Sequence, residues 1–174
     1  MQQNSISHDF LKLGRLQLQK DAYVGIGELK IVKNPNPLVV VGLGSCIGLV
    51  LYDPYLKIGG ISHIMLPECK DIKKWGDYGK FADMAVPLLI KKMLQQNVLK
   101  SRIVAKIIGG SAIFNGCSFL KIGERNIQKV KEELKKENIT IVAKDIGGNH
   151  GRTIVLDTAT GNIIIKTKDK VYYI

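Results

Sequence analysis

Val39-Val40-Val41-Gly42-Leu43-Gly44-Ser45-Cys46-Ile47-Gly48-Leu49-Val50-Leu51-Tyr52-Asp53-Pro54, continued by Tyr55-Leu56-Lys57-Ile58-Gly59-Gly60-Ile61-Ser62-His63-Ile64-Met65-Leu66-Pro67, is the stretch on which the fold turns. A β-branched run ends in Gly-Leu-Gly-Ser, and a cysteine follows at once. An apolar strand comes next, then a turn at Asp53-Pro54, then a second apolar strand that carries a histidine. A strand–turn–strand layout folds back on itself. Cys46 and His63 stand at comparable distances from that turn, so antiparallel pairing brings them towards each other. A thiol beside an imidazole can become a thiolate–imidazolium pair, the usual nucleophile of a cysteine enzyme. Gly42 and Gly44 permit unusual backbone conformations and leave room for a substrate, and the amides of Ser45 and Cys46 are candidate oxyanion donors. The plainer reading is a core-filling thiol and a core histidine, since free cysteine is among the most buried residue types.

Outward from this hairpin, the alternation of apolar runs with Gly, Pro and Asn predicts strands over 23–32, 38–43, 47–52, 58–65, 103–108, 139–142, 153–156 and 163–167. Helical spacing predicts helices over 81–96 and 125–136. The first has a stripe of Phe81, Met84, Ala85, Leu88, Leu89 and Lys92 and a kink or split at Pro87; the second has Ile127, Val130 and Leu134 inward. Strands outnumber helices, and the helices fall in two separate places. The predicted class is α+β: one domain with two main helices packed on a mixed, largely antiparallel β-sheet. Residues 1–22 read as a variable N-terminal extension, with a short amphipathic helix as an option, and 23–174 as the domain. The polar loop over 66–79 holds the single tryptophan, Trp75, and reads either as a flank of a substrate cleft or as a plain connection.

The chain has 174 residues and a net charge of +11, enough length for one sizeable core. Its three cysteines, Cys46, Cys69 and Cys117, are odd in number and widely spaced, which suggests neither a disulfide framework nor a zinc site. With no apolar run near the ~20 residues of a membrane span and no signal-peptide pattern, a reduced cytoplasm is the expected location, with no membrane insertion. The basic balance favours acidic partners. The lysines are scattered and aromatics are few, so nucleic acid is not an expected partner. His8 and His150 read as surface histidines, Cys69 and Cys117 as structural, and Ser111 and Asn149 as possible cleft-lining residues in glycine-rich turns.

Several separated motifs carry a family likeness. Gly42-Leu43-Gly44-Ser45-Cys46, Tyr52-Asp53-Pro54, Lys57-Ile58-Gly59-Gly60 and His63 with Met65-Leu66-Pro67 are followed by Ile108-Gly109-Gly110-Ser111-Ala112-Ile113-Phe114. Then come Ile122-Gly123-Glu124-Arg125-Asn126, and Asp145-Ile146-Gly147-Gly148-Asn149 with Gly151-Arg152. Over about residues 23–174 the chain resembles the CheD family, the chemoreceptor glutamine deamidases of bacterial and archaeal chemotaxis. The resemblance implies hydrolysis of glutamine side-chain amides on methyl-accepting chemotaxis receptors, with methylesterase activity also attributed to the family. Cys46 is then the nucleophile, His63 the general base and acid, and Gly44 and Ser45 the oxyanion turn, with no cofactor and no metal. The family pattern places a threonine six residues before the cysteine, where this chain has Val40. Valine has no side-chain hydrogen-bonding group, so the backbone carbonyl of Val40, or of a neighbour, is expected to orient His63. The resemblance also implies a second role, binding and stimulating a CheC-type response-regulator phosphatase. A chain with Val40 that had lost catalysis could retain that role as a binding module.

Overall fold

The computed structural model describes residues 20–70, 78–112 and 121–174. Most of the predicted N-terminal extension, His8, Trp75 and Cys117 lie outside these residues. The described strands are β1 (Leu29–Lys33), β2 (Leu38–Leu43), β3 (Ile47–Asp53), β4 (Ile58–Ile64), β5 (Val104–Gly109), β6 (Thr140–Ile146), β7 (Arg152–Leu156), β8 (Ile163–Lys166) and β9 (Val171–Tyr173). Helix α1 (Ala82–Leu94) follows β4, and α2 (Ile122–Lys136) joins β5 to β6. The class is α+β as expected, with the strands divided between two sheets. One sheet has the order β1-β4-β3-β5-β6, and the other β2-β7-β8-β9. Among the described strands, the one parallel pair is β5 and β6. Parallel neighbours need a crossover, and α2 supplies it.

Strand β3 is buried along its whole length. It has hydrogen-bonded neighbours on both edges, β4 and β5. Both its faces are covered, which explains its nearly unbroken apolar sequence. Ile47, Leu49 and Leu51 pack against α1 and α2, with Leu89, Met93, Val130 and Leu134 in the same cluster. Val50 faces the other way, into a second core with Leu43, Ile108 and Ile154 between the sheets. Each such fully buried side chain contributes about 1.5–3 kcal/mol.

Several predicted boundaries move. The first strand begins at Leu29, not at residue 23; Gly27, with φ +79°, belongs to the turn before it. Residues ahead of that turn serve another purpose: the Val24 amide donates to the Val39 carbonyl at 2.8 Å. Helix α1 runs through Pro87 without a split. The proline stands in the second turn and costs the helix one hydrogen bond, to the Asp83 carbonyl. The buried stripe of α1 is Ala82, Ala85, Val86, Leu89, Ile90 and Met93; Met84 and Leu88 are half-buried and Lys92 is exposed. Helix α2 begins earlier than predicted, at Ile122, and β6 continues to Ile146. The short β9 was not anticipated. No described helix is long and apolar enough to cross a membrane.

Candidate active site

The turn that carries Cys46 is prepared by a bulge. In the β2–β7 pairing, Val40 stands opposite Ile154 but Leu43 stands opposite Arg152, so β2 holds one residue more than its partner. Gly42 takes up the difference with φ +76°, and Val41 turns outward, 58% exposed. Bulges re-aim the chain that follows them. The turn is then tied down from three sides. The Gly44 carbonyl accepts from the Ser111 amide at 2.8 Å, and the Cys46 carbonyl from the Gly110 amide at 2.9 Å. The Ser45 carbonyl accepts from the Asn126 side chain at 3.0 Å. Gly109 permits this closeness: it has φ +110°, and a Cβ there would lie 2.2 Å from the Cys46 carbonyl oxygen. Among the described residues, no turn or loop carbonyl takes the Ser45 or Cys46 amide. Of the two glycines singled out in the sequence, only Gly42 lies in the left-handed region.

His63 arrives from the facing strand. The register pairs Gly48 with His63 and Ile47 with Ile64. Cys46 and Gly48 share one strand parity, so Cys46 and His63 lie on the same face of the hairpin as diagonal neighbours. That face looks towards the core between the sheets, against which Cys46 packs. Gly48 adds no side chain between them. Diagonal positions on an antiparallel pair are about 7–8 Å apart at the backbone, a span that long or aromatic side chains cross. The carbonyl at His63 Nδ1 belongs to Val24, at 3.4 Å, and not to Val40. The expectation names the carbonyl of Val40 or of a neighbour; the Val40 side chain itself is wholly buried between the sheets. A carbonyl only accepts, so the contact assigns the proton to Nδ1 and leaves the lone pair on Nε2. His63 Nε2 is buried and has no partner among the described residues.

Burial sets the electrostatics. It pushes the Cys46 thiol above its ordinary value of 9.0, against a smaller opposite pull from the cysteine's own backbone amide. It also pulls His63 below 6.5, against a smaller opposite effect of the Val24 carbonyl. The resting pair at neutral pH is therefore thiol and neutral imidazole rather than thiolate and imidazolium. One consequence is measurable. Alkylation of Cys46 by iodoacetamide is expected to keep accelerating as pH rises through 9.0, because only the thiolate reacts. A plateau reached below pH 8, by mass mapping of the Cys46 peptide, would contradict the burial argument.

Behind the turn lies a polar network that the sequence only hinted at. Arg152, 3% exposed, donates to Ser111 Oγ at 2.6 Å and to Asp145 Oδ1 at 2.8 Å. Ser111 Oγ also contacts the Gly147 and His150 carbonyls, and Tyr172 donates to Asp145. Burial opposes ionisation of Asp145, but the hydrogen bonds from Arg152 and Tyr172 and the arginine charge outweigh it and hold its carboxyl below 3.8. Burial and the Asp145 carboxylate push the Tyr172 phenol up to about 12. Ser111 is thus buried support behind the turn; Asn149 is exposed, and His150 contributes its carbonyl. Cys69 is held by its amide to Asp83. Sequence reasoning gave no role to Val24, Asn126 or Arg152. For Asn126 a signal existed: it falls on the apolar face of α2, one turn before Val130.

Comparisons with known proteins place the chain in a family. The family model described as CheD chemotactic sensory transduction matches residues 65–167, beginning just past His63. A protein named "Probable chemoreceptor glutamine deamidase CheD" from Clostridium botulinum (strain Hall, type A) is 48% identical over 151 residues, covering 85% of this chain and 93% of that protein. A protein of the same name from strain Eklund 17B, type B, is 47% identical over 146 residues, covering 82% of this chain and 90% of the relative. Among solved structures, that of the Bacillus licheniformis hypothetical protein YfiH is similar at a TM-score of 0.44 and 13% identity, covering 70% of this chain and 49% of that one. With nearly half its residues shared across most of both lengths, and the family model matching more than half of it, the chain belongs to the CheD family.

Proposed function

We propose that this protein is a chemoreceptor glutamine deamidase, which hydrolyses glutamine side-chain amides of methyl-accepting chemotaxis receptors to glutamate. The observation that carries the proposal is a thiol and an imidazole on one face of one hairpin, with His63 Nε2 unpartnered among the described residues, in a chain of this family. Cys46 Sγ attacks the amide carbon as its proton passes to His63 Nε2. The carbonyl electrons move onto oxygen, where the Cys46 amide is a candidate donor. The imidazolium then protonates the departing nitrogen, and ammonia leaves a thioester. Water gives a proton to His63 and its hydroxide to the acyl carbon; the C–S bond breaks, releasing glutamate and regenerating the thiol. None of these steps requires a metal or a cofactor. The Val24 carbonyl orients the imidazole, a role that the family pattern gives to a threonine at the position of Val40.

The net charge of +11 suits an acidic face on a receptor's helical region. The test is incubation of a receptor cytoplasmic fragment with the protein, followed by intact-mass analysis and peptide mapping. The expected result is a stepwise mass gain localised to glutamine side chains. No gain on any receptor fragment, from folded protein, overturns the proposal and favours a phosphatase-binding module instead.

A further inference from the structure

We propose that Asn126 is a positioning residue for acyl transfer at Cys46, acting through the Ser45–Cys46 peptide. The inference rests on reading Cys46 as the nucleophile. Asn126 is 0% exposed and stands on α2, outside the hairpin. Its Nδ2 donates one hydrogen to the Ser45 carbonyl at 3.0 Å and the other to the Met65 carbonyl at 2.9 Å. Two carbonyl acceptors on one nitrogen fix the orientation of the amide, because an oxygen there would face oxygen twice.

The location of these carbonyls gives the contact its meaning. The β3–β4 ladder ends at the pair Ile47 and Ile64. Cys46 and Met65 are the next positions, where strand hydrogen bonds have stopped. Asn126 supplies the missing rung from a helix, and so holds the nucleophile's strand and the histidine's strand together beyond the end of their ladder.

It also orients a donor. A peptide group is planar, with its C=O and N–H pointing in opposite directions. Holding the Ser45 carbonyl on Asn126 therefore directs the Cys46 N–H away from α2. The Gly110 amide, at 2.9 Å, holds the Cys46 carbonyl in the same way. Both peptides flanking the thiol are fixed, and no turn or loop carbonyl among the described residues takes the Cys46 N–H. An oxyanion formed beside Sγ would meet that amide. The arrangement has a cost: Asn126 Oδ1 is buried without a partner among the described residues. A side chain retained only to stabilise the helix contact would be expected to have both ends satisfied.

The test separates two reactions of one thiol. Acylation by p-nitrophenyl acetate passes through an oxyanion; alkylation by iodoacetamide does not. Both are measured at Cys46 by peptide mapping, with Cys46→Ala as the blank, for wild type, Asn126→Leu and Asn126→Ser. Leucine keeps the volume and removes both donors; serine keeps one hydrogen. The expected result is a fall in acylation of about 10²-fold for Asn126→Leu, within the range for a lost oxyanion donor. Alkylation and its pH profile should stay near wild type, and serine should recover part of the acylation. Should Asn126→Leu fail to fold, Asn126→Ser carries the same comparison. Acylation unchanged in the variants, or falling in step with alkylation, overturns the positioning role while leaving the nucleophile in place. A wild type that acylates no faster than Cys46→Ala overturns the nucleophile reading, and this inference with it.

Discussion

Cys46→Ala is expected to abolish deamidation, and His63→Gln to slow it by about 10²–10⁴-fold, the usual contribution of a positioned acid–base group. Alanine removes the only atom that forms the proposed acyl bond, so no slower version of the same route remains. Glutamine at position 63 is the more informative change. Its amide can still donate towards the Val24 carbonyl, which the imidazole approaches at 3.4 Å, but it takes up no proton. The loss should therefore appear in kcat, with KM little changed, because the proton moves only as the barrier is crossed. The pH profile adds a second signature. Burial pulls His63 below 6.5, so wild-type activity should hold through neutrality and fall only at a pH below that value, as the base becomes protonated. Burial pushes the Cys46 thiol above 9.0, so no further limb is expected between pH 7 and 9. In His63→Gln the acid limb should vanish, and the residual rate should climb with pH as thiolate accumulates. Deamidation followed by mass across pH 5–9 decides the matter. A glutamine variant that keeps the wild-type rate and acid limb would remove His63 from the mechanism.

The hairpin was legible because its two signals are local. Alternating or continuous apolar runs mark strands, and the short turn fixes which positions face each other. From Ile47–Asp53 and Ile58–Ile64 alone, the shared face of Cys46 and His63 follows. The partner of His63 was not legible. Val24 reaches it from the segment ahead of the Gly27 turn, which is tied to β2 at Val39 and to the His63 backbone through Gly27 and Glu28, and nothing in the sequence around Val24 announces that its carbonyl matters. Backbone groups have no residue type to reveal them. The division into two sheets was hidden for a related reason: β2 leaves its sequence neighbour β3 to pair with β7, more than a hundred residues on. Pairing at that distance depends on which apolar faces meet, and many pairings satisfy the same pattern. At Pro87 propensity offers a kink or a split, and the split is averted because the buried stripe from Ala82 to Met93 holds one helix together.

Arg152→Ala is expected to destabilise the fold by about 3–5 kcal/mol, the range for breaking a buried ion pair from one side. At about 2–4 °C per kcal/mol for a chain of this size, that is a fall in Tm of roughly 6–20 °C. The size follows from what the guanidinium holds. It is almost fully buried and bridges the Ser111 hydroxyl to the Asp145 carboxylate. Without it, Asp145 keeps a negative charge in a part-buried place with the Tyr172 hydroxyl still bonded to it. Uncompensated desolvation, more than a lost contact, dominates the cost, so the double variant Arg152→Met with Asp145→Leu should recover much of it. The pH dependence has a definite sign. The folded Asp145 carboxyl titrates below its ordinary 3.8, so its contribution is complete above that value and is lost as pH falls through the lower, folded one. The gap in Tm between wild type and Arg152→Ala should therefore be widest near neutrality and narrow as the carboxyl is protonated. The consequence reaches the thiol as well, because Ser111, released from Arg152, is the residue whose amide holds the Gly44 carbonyl at 2.8 Å. Thermal unfolding by circular dichroism from pH 7 down to pH 3 measures both effects. A variant within two or three degrees of wild type at pH 7, or a gap that widens in acid, would show that this buried pair does not hold the turn beneath Cys46.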